Sequence, residues 1–356
     1  MKKRLLAAVL LLCIVLGACC SCGDRGGNAD VHVFYYTYSD TYVSTVRSTL
    51  DSKLTEAGVS YQDYDGNGNQ TTQTEQIRTA ITKGAKVLLV NIVNTGSDDA
   101  AGEIVGLARD AGIPLIFFNR EVGDSVISSY DNCAYVGTRS EEAGILQGEM
   151  IGEYLLEHYD RVDLNKDGEI SYILFKGEEG NNEAIYRTRY SVEKANELLT
   201  AAGKKPIRFY DAGNPNGYHV DQNGQWSSAA ANDYMTTALA SHSMAGNNMI
   251  ELVICNNDSM AEGAISALNT AGFNTGSSAV TIPVFGVDAT ESAKGLIRDG
   301  KMAGTILQDA AGMADALARL SKNALDESKG LMDGTDDLEI DSTVRKIRIA
   351  YGKYLG

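Results

Sequence analysis

The chain has 356 residues, 44% of them hydrophobic, and sets 31 Lys and Arg against 47 Asp and Glu for a formal charge of −16. No basic stripe that could neutralise phosphates is present, which argues against nucleic acid as a partner. The length accommodates two domains of ordinary size, and beyond the N-terminus no apolar run approaches the length of a membrane-spanning helix.

Met1-Lys2-Lys3-Arg4 is a basic start, Leu5 to Leu16 is apolar, and small residues follow at Gly17-Ala18 before Cys19. The run is too short for a mature spanning helix and reads as a secretory signal over residues 1–18. Leu16-Gly17-Ala18-Cys19 resembles a bacterial lipobox, which implies cleavage before Cys19 and a diacylglyceryl group on its sulfur. An ordinary signal peptide cut near Ala18 is the alternative. Residues 19–30, with Gly23-Asp24-Arg25-Gly26-Gly27-Asn28, read as a flexible tether. Of the six cysteines, Cys13, Cys19, Cys20 and Cys22 lie in this region, leaving Cys133 and Cys255 in the body. Cys255 sits in the apolar run Leu252-Val253-Ile254-Cys255, where a small buried thiol is the default, and no bridge to Cys133 is expected. His32, His158, His219 and His242 lack metal-ligand spacing, so a zinc enzyme is poorly supported.

From residue 31 the chain alternates β-rich runs with amphipathic stretches. Val31–Tyr38 precedes a helical pattern over Thr41–Ala57; Gln73–Lys83 leads to the run Lys86–Val93; Pro114–Arg120 follows, then a helical pattern over Glu141–His158. The stretch Asp163-Leu164-Asn165-Lys166-Asp167-Gly168-Glu169-Ile170-Ser171 comes next and places oxygen side chains at every second position around a glycine. That is the first half of an EF-hand-type calcium loop, but its twelfth position is Leu174, which cannot ligate. Either the segment is a polar turn, since Asp, Asn and Gly also build turns without metal, or its bidentate carboxylate arrives from elsewhere. Tyr172–Gly177, a helix over Ala184–Ala202, Ile207–Tyr210, Glu251–Asn257, a helix over Met260–Ala271, Ile282–Asp288, Ala303–Gln308 and a helix over Ala310–Leu325 complete the pattern. Alternation of this kind predicts parallel sheets covered on both faces, in two doubly wound domains.

Polar residues recur where the strands end: Asn119, Asn256-Asn257-Asp258, Asp288 and Gln308-Asp309. Open α/β sheets bind ligands at the carboxyl ends of their strands. Helix capping is the competing reading, assigned to Asp258 and Thr290, and it accounts for single polar residues better than for doubled ones.

The segments Asp163-Leu164-Asn165-Lys166-Asp167-Gly168, Phe117-Phe118-Asn119, Ser129-Tyr130-Asp131, Tyr135-Val136-Gly137-Thr138, Leu174-Phe175-Lys176-Gly177-Glu178, Asn256-Asn257-Asp258 and Pro283-Val284-Phe285-Gly286-Val287-Asp288-Ala289 keep one order along the chain. In these, from about Val31 to Tyr351, the sequence resembles the periplasmic glucose/galactose-binding proteins, substrate-binding components of bacterial ABC sugar importers. An apparent insertion around Gly213–Gln225 departs from that pattern.

The resemblance implies a type I periplasmic binding fold, two Rossmann-like lobes joined by a three-segment hinge with crossovers near Thr138, Gln308 and Arg345. The N-terminal lobe would span 31–138, completed by about 309–344, and the C-terminal lobe 139–308, completed by about 345–356. It implies a structural calcium held by Asp163, Asn165, Asp167, the Glu169 carbonyl, Ser171 and a distant bidentate Glu251. Ser171 replaces the family's usual Gln, and an all-oxygen, flexibly spaced set favours calcium over magnesium.

A pyranose suits aromatic plates against its C–H faces and planar amide, carboxylate and guanidinium groups around its hydroxyl rim. The resemblance places Trp226, the only tryptophan, and Tyr42 at the stacking positions. The implied rim is Asp40, Asn119, Asn181, Glu183, Arg187, Asn257, Asp288 and Gln308. Asn181 stands where His is common, Glu183 where Asp is, and Gln308 where Asn is; the last two each add a methylene, enough to move a hydroxyl contact. The expected function is capture of a glucose- or galactose-type hexose by a lipid-anchored, extracytoplasmic, monomeric protein that delivers it to an ABC permease. A sugar sensor serving a chemoreceptor or sensor kinase is the alternative. A glycosidase using Glu178, Glu179 and Glu183 is a weaker rival, because neighbouring carboxylates on a polar loop are usually solvated.

Overall fold

The computed structural model describes residues 29–276, 280–341 and 343–356; the signal segment and Cys19 lie outside the described residues. The elements run β1 (Val31–Tyr35), α1 (Thr41–Glu56), β2 (Tyr61–Asp65), α2 (Gln70–Thr82), β3 (Val87–Val90), α3 (Asp99–Ala111), β4 (Leu115–Phe118), α4 (Asp124–Ser128) and β5 (Cys133–Gly137). Next come α5 (Ser140–Val162), β6 (Ser171–Lys176), α6 (Asn182–Ala201), β7 (Arg208–Phe209), β8 (His219–Val220), α7 (Ser228–Ser241), β9 (Leu252–Cys255), α8 (Asp258–Thr270), β10 (Val284–Asp288), α9 (Glu291–Arg298) and β11 (Gly304–Gln308). The chain closes with α10 (Ala310–Ala324), β12 (Glu339–Asp341), β13 (Lys346–Arg348) and β14 (Tyr351–Tyr354).

Two sheets form, in the orders β12-β13-β5-β4-β3-β1-β2 and β14-β11-β10-β9-β6-β7, with β8 beside β6. Pairing is parallel except for β12 with β13 and β11 with β14. The central strands Val87–Val90 and Leu115–Phe118 are buried at every position, as strands covered on both faces must be. Helices α1 and α10 cover one face of the first sheet, where Val46, Leu50 and Leu54 meet Met313, Leu317 and Leu320; Ile77, Ile104 and Val105 cover the other. In the second lobe Phe175, Ile254 and Phe285 centre one continuous core. There α5 and α6 touch backbone to backbone: a β-carbon at Gly144 would sit 2.4 Å from the Tyr186 carbonyl oxygen, and at Gly148 2.6 Å from that of Tyr190. That close approach seats the first turns of α6 against the rest of the lobe.

The chain crosses between lobes after β5, after β11 and after β13. The third crossover falls later than the expected position near Arg345. Lys346–Arg348 still pairs with β5, and the Arg345 guanidinium donates to the carbonyls of Cys133, Ile127 and Tyr130. The first lobe therefore holds the chain through Arg348. The crossing segments are stitched to one another: Arg348 Nη1 donates to the Thr138 carbonyl at 2.8 Å, Ile349 N to the Gly137 carbonyl at 2.8 Å, and the Thr138 and Tyr351 hydroxyls share a bond of 2.9 Å. Cys133 and Cys255 are both buried thiols, one in each sheet. No described helix is long and apolar enough to cross a membrane.

Candidate functional site

Strand ends and helix starts from both lobes converge on a cavity between them, lined by Tyr36, Asp40, Tyr42, Val43, Asn119, Arg120, Asn181, Glu183, Arg187, Trp226, Asn257, Asp288 and Gln308. All ten residues expected around a sugar are among them. Tyr36, Val43 and Arg120 were missed by sequence reasoning. The available signal was positional: Tyr36 follows β1 and Arg120 is two residues past β4, the strand-end placement that marked Asn119.

Capping and ligand-facing roles turn out to coexist. Asp40, Asn181 and Asn257 are the N-caps of α1, α6 and α8, accepting from Val43 N at 2.9 Å, Ala184 N at 3.1 Å and Met260 N at 3.0 Å. Each spends one oxygen on an orphan N–H and stays in the cavity wall. Asp258, expected to cap, is instead the first residue of α8, and its buried carboxylate accepts from the Thr305 hydroxyl at 2.6 Å and Thr290 N at 2.8 Å. Thr290 does cap α9. Glu183 and Arg187, four residues apart on α6, share one face of the helix.

Three wall residues have left-handed or otherwise positive φ, Asn119 at 61°, Trp226 at 55° and Asp288 at 123°, as does Ala289 beside Asp288 at 55°. Such backbone is unfavourable for residues with a β-carbon and concentrates at functional sites. The Trp226 indole lies against Gly177, where a β-carbon would fall 2.0 Å from its Cδ2, and its carbonyl accepts from Asn257 Nδ2 at 3.3 Å. The Tyr42 hydroxyl turns away to the Met313 sulfur at 3.8 Å, leaving the ring to the cavity.

Arg187 donates through Nη1 to the Asn256 carbonyl at 2.9 Å and through Nη2 to Gln308 Oε1 at 3.2 Å and the Tyr351 hydroxyl at 3.0 Å. Among the described residues, Arg120 Nε, Arg187 Nε, Gln308 Nε2 and Glu183 Oε1 are buried in this wall without a protein hydrogen-bond partner. Three donors and one acceptor are thus held where an unmade bond is costly. Burial pushes the Asp288 carboxyl well above the ordinary range against the pull of Arg187, with Asp258 and Asp40 pushing it further. Burial likewise raises Glu183, again opposed by Arg187. Glu178 and Glu179, the other carboxylates considered for glycosidase chemistry, are engaged elsewhere: Glu178 with Arg120 at 2.8 Å, and Glu179 with Lys176 at 2.5 Å and the Tyr218 hydroxyl at 2.9 Å.

The segment around Gly213–Gln225 adds β8 beside β6. It is pinned by Asp221, whose carboxylate accepts from the Ser227 amide at 3.0 Å and hydroxyl at 2.7 Å, bracketing Trp226.

At the far end of the second lobe the 163–171 loop folds around its own carboxylates. Asp163 accepts from Asp167 N at 3.2 Å and Gly168 N at 3.0 Å; Asp167 accepts from Glu169 N at 2.8 Å and Asn165 Nδ2 at 3.0 Å. Glu251, which is 1% exposed, reaches both ends of the loop, accepting from Leu164 N at 2.7 Å and Ser171 N at 2.9 Å. Two loop carboxylates, Asp163 and Asp167, with Glu251 reaching in from outside the loop, give oxygen ligands of the kind a hard cation such as calcium takes. Among the described residues no three His, Cys, Asp or Glu side chains form a metal cage alone, so Asn165 and the Glu169 carbonyl would have to complete the set. Ser171 fits less well than expected, because its hydroxyl is committed to the Met249 carbonyl at 2.9 Å and to Glu251 at 3.2 Å.

A family model described as a periplasmic binding protein domain matches residues 31–329. The chain is 33% identical over 336 residues to the D-galactose/methyl-galactoside binding periplasmic protein of Haemophilus influenzae, covering 94% of this chain and 92% of that one. Its fold is similar to that of a solute binding protein from Clostridium phytofermentans solved with bound β-D-glucose, with TM-score 0.69, 21% identity, and 91% and 93% of the two chains covered. It is similar also to one from Bacillus halodurans solved with bound myo-inositol, with TM-score 0.67, 22% identity, and 93% and 96% covered.

Proposed function

Because the chain belongs to the periplasmic binding protein domain family, we propose that it captures a glucose- or galactose-type monosaccharide between its two lobes and delivers it to an ABC sugar permease. The family is one of binding proteins rather than enzymes. The observation that carries the reading is the wall of the cavity, where three unpartnered donors and an unpartnered carboxylate oxygen stand beside Trp226 and Tyr42. Sugar hydroxyls donate and accept at once, so a ring of them completes such a mixed set. Ligand drives closure because it binds the closed form more tightly.

The roles follow from placement. Trp226 and Tyr42 stack on the ring; Asp40, Asn119, Asn181, Glu183, Arg187, Asn257, Asp288 and Gln308 bond its hydroxyls. Calcium on Asp163, Asn165, Asp167, the Glu169 carbonyl and Glu251 braces a loop remote from the sugar. A lipid on Cys19 holds the protein outside the cytoplasmic membrane, and acyl mass on the N-terminal fragment would establish it. The same closed state could serve a chemoreceptor or sensor kinase; deletion separates the two, since loss of an importer component abolishes uptake and loss of a dedicated sensor abolishes only the response.

Calorimetry against a panel of aldoses tests the reading. Glucose, galactose or a close relative is expected to give heat, shift the emission of the single tryptophan and raise the melting temperature. No heat from any of them, with protein shown by mass spectrometry to carry no co-purified sugar, would overturn it.

A further inference from the structure

The two lobes also meet across the mouth of the cleft, through an ion pair that joins a cavity-wall residue to one outside the wall. Arg120, in the first lobe, donates through Nη2 to the Val93 carbonyl of its own lobe at 2.9 Å and to Glu178 Oε2 of the other lobe at 2.8 Å. Its guanidinium lies 4.3 Å from the centre of the Tyr36 ring. The Arg120 side chain is 5% exposed and that of Glu178 24%. Around the pair the walls nearly touch. A β-carbon at Gly68 of the first lobe would lie 3.1 Å from Gln225 Nε2 on the inserted segment, and one at Gly224 3.1 Å from Glu178 Cγ. A β-carbon at Gly180 would lie 3.6 Å from Gly96 Cα across the cleft, and the Thr41 and Ser259 hydroxyls are 3.2 Å apart. Among the described residues Arg120–Glu178 is the ion pair that spans the mouth; Arg139–Glu339 lies at the hinge.

We infer that Arg120, Glu178 and the inserted turn Asp221–Gln225 form a clasp that fastens over the ligand and restricts the site to a free monosaccharide, discriminating against sugars that carry a bulky aglycone. The inference rests on the sugar reading of the cleft. The pair forms only with the lobes closed, since its members belong to different lobes and separate when the cleft opens. A substituent leaving through the mouth must occupy the space between Gly68, Gly96, Gly180 and Gln225, which the present walls fill. Accommodating it parts Glu178 from Arg120 and leaves a nearly buried cation without its partner, a cost that falls on the substituted ligand alone. Arg120 Nε faces the cavity as well, so one side chain links the ligand to closure.

Glu178 lies outside the cavity wall, which makes Glu178→Gln the informative variant, because it keeps the shape and removes the charge. Stopped-flow release of whichever free hexose binds, together with calorimetry against its p-nitrophenyl glycoside, reads the outcome. Wild type is expected to release the hexose faster as salt rises and to bind the glycoside at least about tenfold more weakly than the free sugar. Glu178→Gln should release the hexose about tenfold faster, lose the salt dependence and narrow the glycoside gap. Release at the wild-type rate with unchanged salt dependence, or equal wild-type affinity for sugar and glycoside, overturns the clasp. If wild type binds no sugar, the sugar reading fails instead. Small-angle scattering then decides the clasp: a larger radius of gyration in Glu178→Gln supports it and equal radii overturn it.

Discussion

Gly177→Ala isolates the stacking platform from everything else in the cleft. Gly177 follows β6 and has no positive φ, so alanine suits its backbone. The added carbon, however, would lie 2.0, 2.2 and 2.5 Å from Cδ2, Cε3 and Cε2 of Trp226. Carbon atoms settle at about 3.5 Å or more, so the indole must move by roughly 1.5 Å. Trp226 also lines the cavity, so a displaced indole encroaches on the space proposed for the pyranose. Losing the stack and at least one desolvated hydrogen bond costs about 2–3 kcal/mol, or roughly 30- to 150-fold in Kd. The overpacking itself removes about 1–3 kcal/mol of stability. Calorimetry gives the affinity, and the emission of the single tryptophan reports the displacement without ligand. A Kd within twofold of wild type, with unchanged emission, would refute the assignment of Trp226 as the platform.

Asp288→Ala should weaken sugar binding by roughly 1–3 kcal/mol, about five- to over a hundredfold, because a ligand hydroxyl loses its acceptor in a buried site; an unchanged Kd by calorimetry would remove Asp288 from the rim. A chelator should lower the melting temperature and added calcium restore it, since an ion bound only by the native state stabilises by mass action. Glu251→Ala should abolish that difference, and identical melts in all conditions would leave residues 163–171 a plain turn. Stability should also depend on pH through Asp63, raised to about 7 by burial and by Asp51 beside it, and Asp258, raised to about 7 by burial. Both hold protons when folded that the unfolded chain, with its ordinary value of 3.8, has released, so stability is greater at low pH and is lost as pH rises through about 7. The melting temperature should fall by a few degrees between pH 5.5 and 8, and Asp63→Asn should flatten the slope; a melting temperature that rises across this interval contradicts the assignment.

What the sequence determined by itself is local. Val87–Val90 and Leu115–Phe118 are legible as interior strands because a strand covered on both faces must be apolar at consecutive positions. Asn119, Asn257 and Asp288 stand out because they close or follow such strands, where an open parallel sheet ends at its ligand. The same logic hides β2: Tyr61-Gln62-Asp63-Tyr64-Asp65 lies at a sheet edge, half exposed, and carries no interior signature. Ser171 illustrates a different limit, since its place in the loop pattern is right while its hydroxyl is drawn to Glu251, 80 residues away. The late third crossover depends on Lys346–Arg348 finding β5, a pairing that no short stretch of chain encodes. Arg120 is the clearest case: its place just past β4 puts it at the ligand end of the sheet, but nothing within its own segment says which groups it will meet. It is paired with Glu178 as well as stacked on Tyr36 only because two separately folded lobes close on one another. That approach is set by the burial of both lobes' facing surfaces and by the hinge, not by any local preference of the residues that meet.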